Sequence, residues 1–85
     1  MDHSAFGYPP RQHLPPNIAQ GLAEAHDRTG ASFRRVGRAL GIDWSYWRRL
    51  TRGERAPSVQ VAERIIEVLD LPDDVAGELI EAAVR

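Results

Sequence analysis

The sequence predicts an all-α fold. Apolar residues recur at helical spacing in five successive segments after the first fifteen residues. No segment alternates apolar and polar residues in the way that a half-buried strand does. Glycine or proline separates most of these segments, as expected where helices end. We therefore expect a compact bundle of about five helices.

Length and composition restrict the chain to one small domain of a soluble protein. Its 85 residues are 42% hydrophobic and 27% charged, the balance of a globular chain. Cysteine is absent, so disulfides and thiolate metal sites are excluded. No apolar run approaches the roughly 20 residues of a membrane span, and the N-terminus lacks the pattern of a signal peptide. We expect a cytoplasmic protein that does not associate with membranes.

The beginning of the chain predicts an extended N-terminal tail. Residues 1–15 contain Gly7 and three prolines and show no apolar periodicity. Such a stretch cannot bury enough apolar surface to order itself. We therefore expect a flexible N-terminal tail, residues 1–15, followed by a helix-turn-helix domain, residues 16–85.

The first two helices have recognisable ends. The first is predicted from about Asn17 to Arg28, with Asn17 and Gln20 as a capping pair and a glycine after its last turn. Ser32 can cap the second helix, which covers residues 33–40 and also stops at a glycine. Both helices are short enough to require packing against the rest of the bundle.

Three further helices follow. Asp43 is expected to cap the third, which extends to about Thr51. Ser58 opens the fourth, and the proline of Leu71-Pro72 separates it from a fifth that starts at about Asp73. The second and third helices, about three residues apart around a glycine, have the spacing of a helix-turn-helix.

Charge is distributed unequally along the chain, although the formal net charge is only −1. Residues 31–55 contain seven arginines against Asp43 and Glu54, a net charge of +5. Residues 56–85 carry a net charge of −5. All eleven basic residues are arginine, which suits bidentate contacts with phosphate or guanine and fits a GC-rich genome equally well. A polarised chain of this kind favours contact with a polyanion through its basic half.

The basic segment resembles the helix-turn-helix of lambda repressor and Cro-like (XRE-like) transcriptional regulators. The resemblance covers roughly residues 18–83. Its most specific parts are the Ala39-Leu40-Gly41-Ile42 turn and the Arg-Gly-x-Arg-x-Pro-Ser segment at residues 52–58. The turn glycine has a physical reason, because it can adopt the positive φ that strains other residues.

The resemblance implies a bacterial or phage-like regulator, a repressor, that binds double-stranded DNA as a homodimer with its third helix in the major groove. The implied base-reading residues are Trp44, Ser45, Arg48 and Arg49. The implied phosphate contacts are Arg34, Arg35, Arg38, Tyr46, Arg52 and Arg55. A dimer interface is expected on the fifth helix at Val75, Leu79, Ile80 and Val84, unless these residues only complete the core of the monomer.

Two residues depart from the family pattern. Trp47 stands where the family has Ile or Val, and Phe33 stands where many members have a phosphate-binding Gln. Helical spacing predicts that Trp47 is buried between the second and third helices. Trp44, by contrast, is expected on the side that faces the groove.

The remaining residues indicate no enzyme, metal or cofactor. His3, His13 and His26 show no ligand spacing and are interpreted as surface or tail residues, and no serine has a base nearby in sequence. A different class of function remains open, that of a protein-interaction module such as an antitoxin or a regulator that binds polymerase or another partner. Such a module would use the acidic C-terminal half, residues 56–85.

Overall fold

The computed structural model describes residues 13–85, and every regular element in them is an α-helix. The helices are α1 (Pro16–Thr29), α2 (Phe33–Leu40), α3 (Trp44–Thr51), α4 (Val59–Leu69) and α5 (Asp73–Val84). The predicted all-α class and the five helices are confirmed. Most of the predicted tail falls on residues 1–12, outside the described residues. None of the helices in residues 13–85 is long and apolar enough to cross a membrane.

Three helices begin at the cap residues that the sequence predicts. The Ser32 hydroxyl accepts the N–H of Arg35 at 3.1 Å at the start of α2. Asp43 caps α3, and Ser58 caps α4 by accepting the backbone N–H of Val61 at 3.2 Å. These side chains satisfy backbone donors that have no partner within the helix.

The predicted capping pair of α1 is wrong. Pro15 occupies the cap position without a side-chain hydrogen bond, and Pro16 begins the helix. Proline suits the first helical position because its fixed φ is helical and the amide it lacks would be unpaired there. Asn17 instead donates its side-chain amide to a Glu78 carboxylate oxygen on α5, at 3.0 Å.

Residues 13 and 14, predicted from the sequence to lie in the tail, contact the helical domain. Leu14 is buried, and its N–H donates to the carbonyl of Gly53 at 3.1 Å. The ring of His13 lies 3.3 Å from the same carbonyl. The last residues of the predicted tail therefore pack beside the end of α3. Burial of the apolar Leu14 side chain favours this packing even though the segment is rich in proline.

The core lies where the apolar faces of the five helices meet. Its largest fully buried side chains are Trp47, Ile18, Leu22, Leu40, Leu50, Ile65 and Leu79. The predicted burial of Trp47 is confirmed. Helices α4 and α5 form a packed pair behind α1 and α2, and α3 rests on α1 and α2. This arrangement leaves one long side of α3 uncovered.

Candidate nucleic-acid interface

Helices α2 and α3 lie close together at Gly37. A Cβ atom at Gly37 would lie 3.0 Å from the Cα of Trp44 and 3.1 Å from the carbonyl oxygen of Ile42. The N–H of Ile42 donates to the Gly37 carbonyl at 3.0 Å, which ties the turn to the end of α2. The two helices therefore meet backbone to backbone, and only glycine fits the crossing without a shift.

The turn after α2 depends on Gly41 and on a side chain from α4. Gly41 has a φ of +73°, in the left-handed region that the sequence predicts for it. Arg64 donates from Nη1 to the Leu40 carbonyl at 3.1 Å. A Cβ at Gly41 would lie 2.7 Å from that nitrogen. The cation thus binds the partly negative end of α2 and braces the turn.

Helix α3 presents opposite faces to the core and to solvent. Trp47, Leu50 and Thr51 are buried. Successive residues of an α-helix are rotated by about 100°, so Ser45 and Arg49 project roughly 160° from Trp47. Arg49 is exposed, and Ser45, four residues earlier, is its neighbour on the same face. The side of α3 that could enter a groove is therefore centred on these two residues.

Ser45 is held by the cap of its own helix. Its hydroxyl donates to Asp43 Oδ2, and its backbone N–H donates to the same oxygen at 3.0 Å. The hydrogen bond from the Ser45 hydroxyl is the main reason why the pKa of the Asp43 carboxyl lies below its usual value of 3.8. Since a hydroxyl has one proton, Ser45 faces outward as an acceptor. The major-groove donors that fit an acceptor are the amino groups of cytosine and adenine.

Trp44 is half-buried. The guanidinium carbon of Arg34 lies 5.1 Å from the centre of the Trp44 ring, within the range of a cation–π contact. This contact joins the first turn of α3 to α2. The expectation that Trp44 faces the groove stays a prediction.

The side chains predicted to contact DNA differ in their exposure. Those that are exposed on α2, on α3 or just after it are Arg34, Arg35, Arg38, Arg48, Arg49 and Arg52, whereas Arg55 and Tyr46 are half-buried. Arg52 has a loose ion pair with Glu54, with 3.9 Å between Nε and Oε2. Arg35 lies apart from the others, because it lines a shallow groove of apolar side chains that includes Val68 and Leu69 of α4.

His26, interpreted from the sequence as a surface residue, is buried, and this interpretation is wrong. It accepts the Nε1–H of Trp47 on Nδ1 at 3.0 Å. The Phe33 ring stacks on it, with centres 4.0 Å apart and planes 15° from parallel. Phe33 is therefore half-buried against the core. The missed signal was the indole N–H of Trp47, which needs a partner when it is buried.

The C-terminal half of the chain, residues 56–85, is acidic. Seven carboxylates on α4, on α5 and between them are exposed: Glu63, Glu67, Asp70, Asp73, Asp74, Glu78 and Glu81. Residues 13–85 contain no group of His, Asp or Glu side chains that could hold a metal ion.

The expected dimer residues on α5 differ in exposure. Leu79 is fully buried, so its placement at an interface is wrong and it belongs to the core of the monomer. Val75 is half-buried, with its methyl groups close to the Cα of Gly21 on α1. Ile80 is half-buried and Val84 is 64% exposed, and these two lie four residues apart on one side of the helix.

A protein-family model described as a helix-turn-helix domain matches residues 18–79, which include almost all of the five helices. No curated protein and no solved structure matches the chain significantly.

Proposed function

Because the chain belongs to the helix-turn-helix domain family, we propose that it is a sequence-specific regulator of transcription that binds duplex DNA through the uncovered side of α3. The observation that carries the proposal is the exposure of Arg48 and Arg49 on a helix whose other side is fixed in the core. A protruding helix of this kind fits the major groove, where each base pair has a distinct pattern of donors and acceptors.

Two side chains of α3 suit direct base recognition. Arg49 lies at the centre of the outward side and has the planar fork that binds O6 and N7 of guanine. Ser45 lies beside it and offers an acceptor to an adjacent cytosine or adenine. Arg48 reads a base at the flank of the helix, and the exposed part of Trp44 contacts a thymine methyl group.

The surrounding cations are proposed to bind phosphates. Arg34 and Arg38 are exposed four residues apart on α2, whereas Arg52 and Arg55 follow the end of α3. Tyr46 adds a hydroxyl donor. Arg35 is the weakest member of this group because it faces the apolar groove towards α4. Phosphate contacts position a protein on DNA without reading its sequence.

We propose that the protein acts without catalysis, in the bacterial cytoplasm, as a repressor. A domain that occupies a site overlapping a promoter excludes polymerase by its volume alone. Two copies would read two half-sites about 34 Å apart. Ile80 and Val84 are the residues proposed to join the two copies, with Val75 at the margin.

A salt titration tests DNA binding. Affinity for duplex DNA selected from a random pool is measured by fluorescence anisotropy at several salt concentrations. We expect a steep fall, since each phosphate neutralised contributes about 0.9 to the slope of log K against log salt. Arg38→Ala should lower this slope by about one unit. Arg85→Ala is the matched control, because it removes an equally exposed charge from the acidic end.

The second candidate function is a protein-interaction module that uses the acidic surface of α4 and α5. The observation that favours it is the exposure of all seven carboxylates there. Two results together would establish this function in place of DNA recognition. The folded protein would bind no duplex even at low salt, and a variant with the carboxylates of α5 neutralised would lose its binding to a purified basic partner.

A further inference from the structure

His26 connects three helices at a single buried point. It lies in the last turn of α1, stacks on Phe33 in the first turn of α2, and accepts the indole N–H of Trp47 in the middle of α3. Only 6% of His26 is exposed. No other hydrogen bond between side chains of the described residues is buried.

The chemistry of the two rings fixes the form of the contact. The indole nitrogen of tryptophan can only donate a hydrogen bond. Nδ1 of His26 must therefore accept, which requires a neutral imidazole with its proton on Nε2. A protonated ring, with donors on both nitrogens, could not make this contact.

The hydrogen bond selects one rotation of α3 about its own axis. A rotation that moved the Trp47 N–H out of reach of Nδ1 would leave this donor buried without an acceptor, which is destabilising in addition to any loss of apolar packing. A rotation of only about 10° moves a group on the surface of a helix, about 5–6 Å from the axis, by about 1 Å. A bidentate contact between Arg49 and guanine does not tolerate a displacement of that size.

We propose that His26 is a positioning residue for base recognition, which holds α3 through Trp47 so that Arg49 and Ser45 meet their bases. This inference rests on the proposed function, because it assigns base reading to the outward side of α3. His26 itself lies inside the domain and touches no DNA. Its contribution is expected in the preference for the selected site over random DNA.

Two substitutions of His26 separate positioning from packing. His26→Leu removes the acceptor but keeps an apolar side chain, whereas His26→Asn restores an acceptor oxygen close to the position of Nδ1. The measurement is the ratio of affinities for the selected duplex and for a random duplex of equal length. We expect His26→Leu to lower this ratio about tenfold, with random-duplex affinity nearly unchanged, and His26→Asn to recover most of the loss.

Phe33→Leu is the matched control. It removes the ring stacked on His26 but leaves the hydrogen bond to Trp47 in place. It should reduce thermal stability and leave the affinity ratio unchanged. The indole N–H signal of Trp47 in a ¹H–¹⁵N spectrum reports the bond directly, and it should shift in His26→Leu and stay in Phe33→Leu.

The outcomes are distinct. A wild-type affinity ratio in folded His26→Leu, or equal losses on selected and random DNA, would overturn the positioning role and leave the proposed function intact. Failure of the wild-type protein to bind any duplex would overturn both. If His26→Leu does not fold, Trp47→Phe removes the same bond from the donor side. The same fall in the ratio is then expected, and an unchanged ratio would overturn the inference.

Discussion

The α2–α3 half and the α4–α5 half of this domain are built by different means. In the first, residues 33–51, the helices meet at a glycine backbone, and polar contacts from His26 and Arg64 hold them from outside. In the second, residues 59–84, the helices pack on the core through apolar side chains, and their polar contacts among the described residues are the one that Arg64 makes with Leu40 and an exposed hydrogen bond from Asn17 to Glu78. Directional contacts fix orientation, whereas apolar packing mainly supplies stability.

The two halves also differ in surface charge. Five arginines are exposed on α2 and α3, whereas the seven exposed carboxylates lie on α4, on α5 and between them. Under the proposed function, orientation matters for the basic half because a helix that reads bases must present its side chains at fixed positions. The acidic half needs only to remain folded behind it. The difference indicates that precision has been concentrated where the proposed contact with DNA is made.

The largest effect is expected from removing the side chain that links α3 to the rest of the core. Trp47→Ala should cost about 3–5 kcal/mol, because it deletes a fully buried indole and leaves a cavity. A domain of this size has about 5–10 kcal/mol in total, so DNA binding should be lost with the fold. Trp44→Ala is the control and should cost much less, since Trp44 is half-buried. Urea denaturation of both variants gives the comparison, and a more stable Trp47→Ala than Trp44→Ala would mean that α3 is rotated.

Replacing glycine by alanine should lower the stability of the domain in one half and raise it in the other. Gly37→Ala places a methyl group 3.0 Å from the Cα of Trp44, a backbone atom, so the helices must shift by a few tenths of an ångström, and this strain of about 1–3 kcal/mol should outweigh the gain of about 0.5–1 kcal/mol in helix propensity. Gly77→Ala in α5 meets nothing within 4 Å and should stabilise by about 0.5–1 kcal/mol through helix propensity. Thermal melts measure both. Equal effects would contradict the distinction between a precise and a tolerant half.

The next effect is expected in the affinity for DNA and not in the stability of the fold. Arg49→Ala should cost about 1–3 kcal/mol on the selected duplex and much less on random DNA. Replacing the contacted guanine by 7-deazaguanine, which lacks N7, should weaken the wild-type protein but not Arg49→Ala. Arg85→Ala serves again as the control. If 7-deazaguanine affects both proteins equally at every position, Arg49 does not read a guanine.

The smallest effect is a pH dependence at the cap of α3. Because the pKa of Asp43 is lowered in the folded state, first by the Ser45 hydroxyl, its ionised form stabilises the fold above pH 3.8. This contribution is lost as the pH falls through the lowered pKa. NMR titration of the Asp43 carboxyl carbon should give a midpoint below 3.8, and Ser45→Ala should raise it. A midpoint at 3.8 or above in the wild type would contradict the proposed hydrogen bond and the acceptor role of Ser45.

Local signals in the sequence were sufficient for most of the fold. Ser32, Asp43 and Ser58 stand at helix starts, and Gly41 stands at the turn, because each residue type satisfies a backbone requirement a few residues away. Burial of Trp47 followed from helical spacing in the same way. These features depend on neighbours along the chain, and a single sequence contains them.

Contacts between distant residues were not predictable by the same means. His26 pairs with Trp47 across 21 positions, and Arg64 reaches Leu40 across 24. Leu14 was assigned to the tail because the prolines near it are visible in the local sequence. Its contact with the carbonyl of Gly53 joins residues that are far apart in the chain. That Arg35 lines the groove beside Val68, apart from the other exposed arginines, likewise depends on how the helices pack.

The most direct test of the central claim is a ¹H–¹⁵N NMR titration of the full chain with its selected duplex. The account predicts that the amides of Ser45, Arg48 and Arg49 shift most, that those around Arg34 and Arg38 follow, and that α5 away from Ile80 and Val84 stays unchanged. Shifts concentrated on the acidic residues of α4 and α5, with α3 unaffected, would contradict it.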